Sequence, residues 1–141
     1  MNLIINTDGG ARGNPGPSGI GAVIADESGK IIGQHKKYIG EATNNVAEYK
    51  ALILALGKAQ ELTTHNSQLT TLEIRMDSEL IVRQMQGRYK IKEPTLKILA
   101  QEVLTGIKNF HKVEFVHVPR EQNKLADKLV NEAIDAASLS A

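Results

Sequence analysis

The sequence has no cysteine, which excludes disulfides and thiolate metal sites and suits a reducing cytoplasm, the expected location. Long apolar runs are missing too. Nothing approaches the ~20 residues that span a bilayer, so no membrane partner is expected. The opening MNLIINTDGG carries no basic stretch ahead of its apolar residues and reads as a first strand, not a signal peptide. Charge of one sign is also lacking. Lys and Arg number 17 against 16 Asp and Glu, a formal net charge of +1, so no overall basicity announces a polyanionic partner. Local clusters remain at Arg88, Lys90 and Lys92 and at Lys36 and Lys37, for which a solvated surface is the ordinary explanation. There is no internal repeat, low-complexity tract or linker. With 141 residues, 41% of them hydrophobic, the chain can bury one core, and residues 1–141 read as a single domain.

What is present alternates in kind along the chain. Residues 2–8 are apolar and β-branched and end at Gly9-Gly10, a strand followed by a loop. Residues 19–26 and 31–39 form a hairpin across Ser28-Gly29. Thr43 or Asn44 caps a helix to about Gln60, with Val46, Ala47, Leu52, Leu56 and Ala59 in its apolar stripe. Residues 70–76 place Leu72, Ile74 and Met76 on one face of a strand. A short helix runs from about Ser78 to Gln86, and Pro94 opens another with the stripe Leu96, Leu99, Val103 and Ile107. Residues 113–118 form a last strand and residues 122–137 a final helix. The order predicts an α/β fold: a mixed five-stranded sheet, three antiparallel N-terminal strands and then parallel ones, flanked by helices.

Four acids stand out against this pattern. Asp8 and Asp77 each end an apolar strand, and ligand sites in open α/β sheets form at such carboxyl ends. A turn residue accounts for Asp8 alone, and a helix N-cap for Asp77 alone. Glu48 is harder to dismiss. Leu52, Ala55 and Leu56 share its helical face, and a carboxylate on a core stripe is costly without a cation or donors. Asp127 shares its side with Val130 and Ile134, although first-turn dipole compensation explains a lone Asp there. Converging carboxylates repel unless a cation joins them, and oxygen-only ligands favour Mg²⁺ or Mn²⁺ over zinc. Two such ions ~4 Å apart serve in-line attack at a phosphodiester.

The glycine-rich residues 9–17 (GGARGNPGP) fail both the Walker pattern and the dinucleotide fingerprint, because no Lys-Ser or Lys-Thr follows and no helix does. Such a loop still brings backbone N–H groups close to a sugar-phosphate chain. TDGGARGNPGPSGIGAVI, TNNVAEYKAL, MDSELIV and NKLADKLVNEA together resemble, in order, the four motifs of the type 1 ribonuclease H family. The resemblance runs from residue 6 to about residue 133.

It implies that Asp8, Glu48, Asp77 and Asp127 are metal-binding catalytic carboxylates. It also implies that Gly13, Asn14, Asn44 and Asn45 contact the minor groove of an RNA–DNA hybrid, and Thr43 a DNA phosphate. Asn amides donate and accept, as base edges and 2′-hydroxyls require; helix capping explains one of Asn44 and Asn45 equally well. Two departures follow. Only GRYKIKEP joins the helices where well-known bacterial members insert a basic protrusion, which resembles the protrusion-less members and shifts substrate grip to Arg88, Lys90 and Lys92. The loop VPREQNK has no histidine, and strand alternation turns His117 away from Val116 and Val118, so Arg120 is the candidate for assisting product departure or contacting a phosphate. The expectation is a monomeric endoribonuclease with two Mg²⁺ or Mn²⁺ ions, an RNA–DNA hybrid as partner, and no obligate protein partner. Action on double-stranded RNA, a non-cleaving nucleic-acid-binding module and a purely structural domain stay open as rivals.

Overall fold

The computed structural model describes residues 1–140, so Ala141, the last residue of the expected domain, lies outside them. Strands β1 (Asn2–Ala11), β2 (Gly16–Ala25) and β3 (Ile31–Ala42) precede helix α1 (Asn44–Leu62). Strand β4 (Thr71–Met76), helices α2 (Glu79–Met85) and α3 (Pro94–Ile107), strand β5 (Lys112–His117) and helix α4 (Lys124–Ser140) follow. The sheet order is β3-β2-β1-β4-β5. The first three strands pair antiparallel, and β4 runs parallel to both β1 and β5. This is the mixed sheet the sequence predicts, with helices supplying the parallel crossovers.

Alternation sorts the side chains. Leu3 and Ile5 of β1, with Leu72, Ile74 and Met76 of β4, meet Leu52 and Leu56 of α1 and Leu99 of α3 in the main core. On the opposite face, Ala126 and Leu129 of α4 cover Val23 of β2. Thr43 settles the choice of cap for α1: its hydroxyl accepts from the Val46 N–H at 3.2 Å.

One boundary differs in a way that matters. β1 does not stop at Asp8; Gly9, Gly10 and Ala11 stay in the ladder opposite Ile20, Gly19 and Ser18. Glycines in a strand often mark the close approach of another backbone, and here that backbone is α1. A Cβ added to Gly9 would sit 2.4 Å from the Ala47 carbonyl. The glycine therefore lets a helix cross the strand, rather than ending it. Gly9→Ala is expected to cost more than about 2 kcal/mol, read from denaturant midpoints; a loss below about 0.5 kcal/mol would show that α1 yields freely. Elsewhere β2 starts at Gly16 and β3 continues to Ala42, both longer than the apolar runs suggest. A 3-10 turn at Arg120–Gln122 takes up the expected start of the last helix.

Candidate active site

The site follows from where β4 ends. Its parallel pairing with β1 reaches Asn6 opposite Arg75, so two residues further on the same register sets Asp8 opposite Asp77. β4 terminates at Met76, and the end of that strand opens a notch beside the continuing β1. Asp8 enters it from β1, Asp77 from the end of β4, and Glu48 from α1 where that helix crosses Gly9. The carboxylates of these three present ligand oxygens that all lie within 4.8 Å of one another. Asp77 is not the cap of α2; the Ser78 hydroxyl takes that task, accepting from the Ile81 N–H. That leaves the Asp77 carboxylate available to the notch.

Burial makes the cluster electrostatically demanding. Glu48 is only 5% exposed and Asp8 only 9%. Burial, then the neighbouring Asp77 and Asp127, push the Asp8 pKa up to about 7, while a hydrogen bond shared with Glu48 opposes the rise. Burial, followed by the charge of Asp8, raises Glu48 well above the usual carboxylate range. Without a cation, then, the protonated forms of both Asp8 and Glu48 are favoured. One Glu48 oxygen accepts from the Gly9 N–H. The other, Oε2, is buried without any hydrogen-bond partner. A buried carboxylate oxygen with no donor, facing two more acids, fits an oxygen-ligated divalent cation. Asp127 stands apart: it is half-buried on α4, near enough to raise Asp8 but outside the close group of three.

Sequence reasoning missed Asn123. It is 1% exposed, and its amide donates to the Thr7 carbonyl at 2.9 Å and to Asp77 Oδ1 at 3.3 Å. Its Oδ1 accepts from Asn6 Nδ2 at 3.0 Å, and its carbonyl accepts the Asp127 N–H at 3.1 Å. One residue thus ties the strand of Asp8 and the carboxylate of Asp77 through its side chain, and the first turn of Asp127's helix through its backbone. Its only sequence signal was its place at the head of NKLAD. Asn123→Ala is expected to cost about 1–3 kcal/mol by stranding those buried groups. If the site reacts with nucleic acid, kcat should fall more than KM changes; an unchanged kcat would make Asn123 purely structural.

Comparison with known proteins agrees with this geometry. The family described as reverse transcriptase-like matches residues 6–133. An RNase H1 isolated from compost is 56% identical, with a TM-score of 0.89 over 96% of this chain and 97% of that one. The chain belongs to the type 1 ribonuclease H family. Among other relatives in this group, ribonuclease HI of Halobacterium salinarum is 41% identical over 92% of this chain and 63% of its own length. A bifunctional protein of Mycobacterium tuberculosis is 45% identical over 100% of this chain. The chain spans only 38% of that relative's length. The compost RNase H1 has also been solved in complex with an RNA/DNA hybrid.

Within this ribonuclease H fold, the remaining candidate residues divide by position. Asn44 and Asn45 line the same cleft as Asp8, Glu48 and Asp77. Asn44 Oδ1 accepts from the Ala11 N–H at 2.8 Å, and its own N–H donates to Asn14 Oδ1 at 3.0 Å. Gly13 and Asn14 are exposed in the β1–β2 turn, joined to the cleft through that bond. Arg88 and Lys90 are exposed beyond α2, and Arg120 is exposed in the 3-10 turn before α4; among the described residues no hydrogen bond or ion pair joins any of these three to the acids. His117 lies 3.9 Å from Glu79, on the side of β5 away from Val116. Among the described residues, no helix is long and apolar enough to cross a membrane.

Proposed function

We propose that this chain hydrolyses the RNA strand of RNA–DNA hybrids, leaving 5′-phosphate and 3′-hydroxyl ends, with Mg²⁺ or Mn²⁺ as its metal. The observation that carries the reading is the group of three carboxylates within 4.8 Å that includes a buried, partnerless Glu48 oxygen. Asp8, Glu48 and Asp77 would hold the ions, Asp127 completing the set from α4. Two such ions, when bound, ease the deprotonation of water and neutralise charge on the leaving oxygen. The chain itself supplies position. Asn123 orients Asp77, and the Gly9 N–H fixes one oxygen of Glu48.

Substrate discrimination falls to the asparagines. Asn44 has its Oδ1 committed to Ala11, so it offers the hybrid a donor. Asn45 keeps both amide functions for 2′-hydroxyls and base edges. Gly13 and Asn14 approach the minor groove, and Thr43 a DNA phosphate. Arg88 and Lys90 would neutralise backbone charge in place of a basic protrusion, and Arg120 would assist product departure. No obligate partner enters this scheme, and the chain acts as a monomer.

Purified protein with labelled hybrid, duplex RNA and duplex DNA tests the reading, with Mg²⁺ or Mn²⁺ and with chelator. Cleavage of the RNA strand of the hybrid that stops with chelator supports it. Binding without cleavage would favour a recognition module instead, and preferential cutting of duplex RNA would reassign the substrate.

A further inference from the structure

The turn that carries Gly13 and Asn14 is anchored on two sides. Toward α1 it is held by the asparagine bonds already described. Toward α4 it is held by Arg12, whose guanidinium lies 2.6 Å from the Asp135 carboxylate. The same group donates to Asn131 Oδ1 at 3.2 Å and to the Asn131 carbonyl at 3.5 Å. Asn131 in turn donates through Nδ2 to the Asp127 carbonyl at 3.0 Å. Arg12, an exposed cation beside a proposed polyanion site, is thus directed onto a helix instead of outward.

The two sides of this contact differ in stiffness. α4 lies hard against the sheet: a Cβ on Gly19 would meet the Val130 carbonyl at 2.7 Å, and one on Gly21 the Ala126 carbonyl at 2.9 Å. The turn is packed less closely: Arg12, Gly13 and Asn14 are all exposed, Gly13 holds a φ of 90°, and a backbone bond from the Arg12 N–H to the Pro17 carbonyl at 2.9 Å closes it. An interaction between a firm and a soft element constrains the soft one.

We infer that Arg12 is a positioning residue, its guanidinium fastening the Gly13–Asn14 turn to α4 through Asp135 and Asn131 so that the turn is preset for the hybrid. The inference deepens the function proposed above and rests on it. The opposing explanation is that Arg12 itself grips a substrate phosphate, and the two differ in sign. If Arg12 fastens the turn, Asp135→Ala loosens it and weakens hybrid binding. If Arg12 grips phosphate, Asp135→Ala frees the guanidinium and strengthens binding.

Exposed ion pairs are individually weak, so the expected effect is modest: KM for the hybrid about threefold higher in Arg12→Ala and in Asp135→Ala, with kcat within about twofold. The double variant should be no worse than either single one. Glu132→Ala, which removes an acid from the same helix but pairs with Lys36, calibrates the generic gain from deleting negative charge. A lower KM in Asp135→Ala than in Glu132→Ala, or additive losses in the double variant, would overturn the inference. Amide exchange at Asn44, whose N–H is held by Asn14 Oδ1 of the turn, can be followed in the free protein and needs no substrate. It should quicken in Arg12→Ala, and unchanged exchange overturns the inference too. Absence of hybrid cleavage by the wild type, with quickened exchange in Arg12→Ala, would instead fault the proposed function and leave the fastening intact.

Discussion

Asp8→Asn is expected to lower hybrid cleavage by roughly a thousandfold or more while the fold survives, because several kcal/mol of charge stabilisation depend on its carboxylate. Asp8 is the member of the cluster that both Asp77 and Asp127 perturb, so it occupies the centre of the group. Asn keeps its size but cannot neutralise a cation. Asp77→Asn should fall as far, since it sits in the same close set. Asp127→Asn should lose less, because its side chain stands outside that set. Single-turnover cleavage with saturating metal, alongside circular dichroism of each variant, separates lost chemistry from lost structure. Near-wild-type rates in Asp8→Asn or Asp77→Asn would remove that residue from the mechanism.

The second large effect is a reversal of pH dependence by metal. In the metal-free protein the Asp8 pKa rises from 3.8 to about 7, and Glu48 shifts the same way. Both groups bind protons more tightly when folded, so their protonation favours the native state. That contribution is complete below about pH 4 and drains away as the pH climbs through about 7. With chelator present, the melting temperature should therefore decline from about pH 5 to about pH 8. Asp8→Asn should flatten this slope. Divalent cation needs the ionised carboxylates, so its stabilisation should be greatest at about pH 8 and fade toward about pH 5. At a hundredfold excess over its dissociation constant the ion contributes about 2.7 kcal/mol, a rise of several degrees for a chain of this size. A melting temperature at about pH 8 that neither Mg²⁺ nor Mn²⁺ moves would refute the metal centre.

The parts of this site that could be read from sequence are those where a local pattern conflicted with a residue's chemistry. Glu48 interrupts an apolar helical stripe, and it is buried as that conflict requires. Leu72, Ile74 and Met76 alternate, and all three enter the core, which fixes Asp77 at a strand end. Asp8 was placed correctly beside a sheet terminus for a partly wrong reason, because the glycines after it continue the strand under α1. Asn123 was invisible as a structural centre. An Asn before a helix is ordinary, and its burial depends on Thr7 and Asp77, which no local window contains. Asp127 looked equivalent to the other acids because helical spacing reports a face but not a distance.

The bond from Asn123 to the Thr7 carbonyl joins positions 116 residues apart. During synthesis the three close acids all leave the ribosome before Asn123 does, so the segment that steadies Asp77 arrives after them. Nascent fragments ending short of that residue carry the three acids without the bond that steadies Asp77.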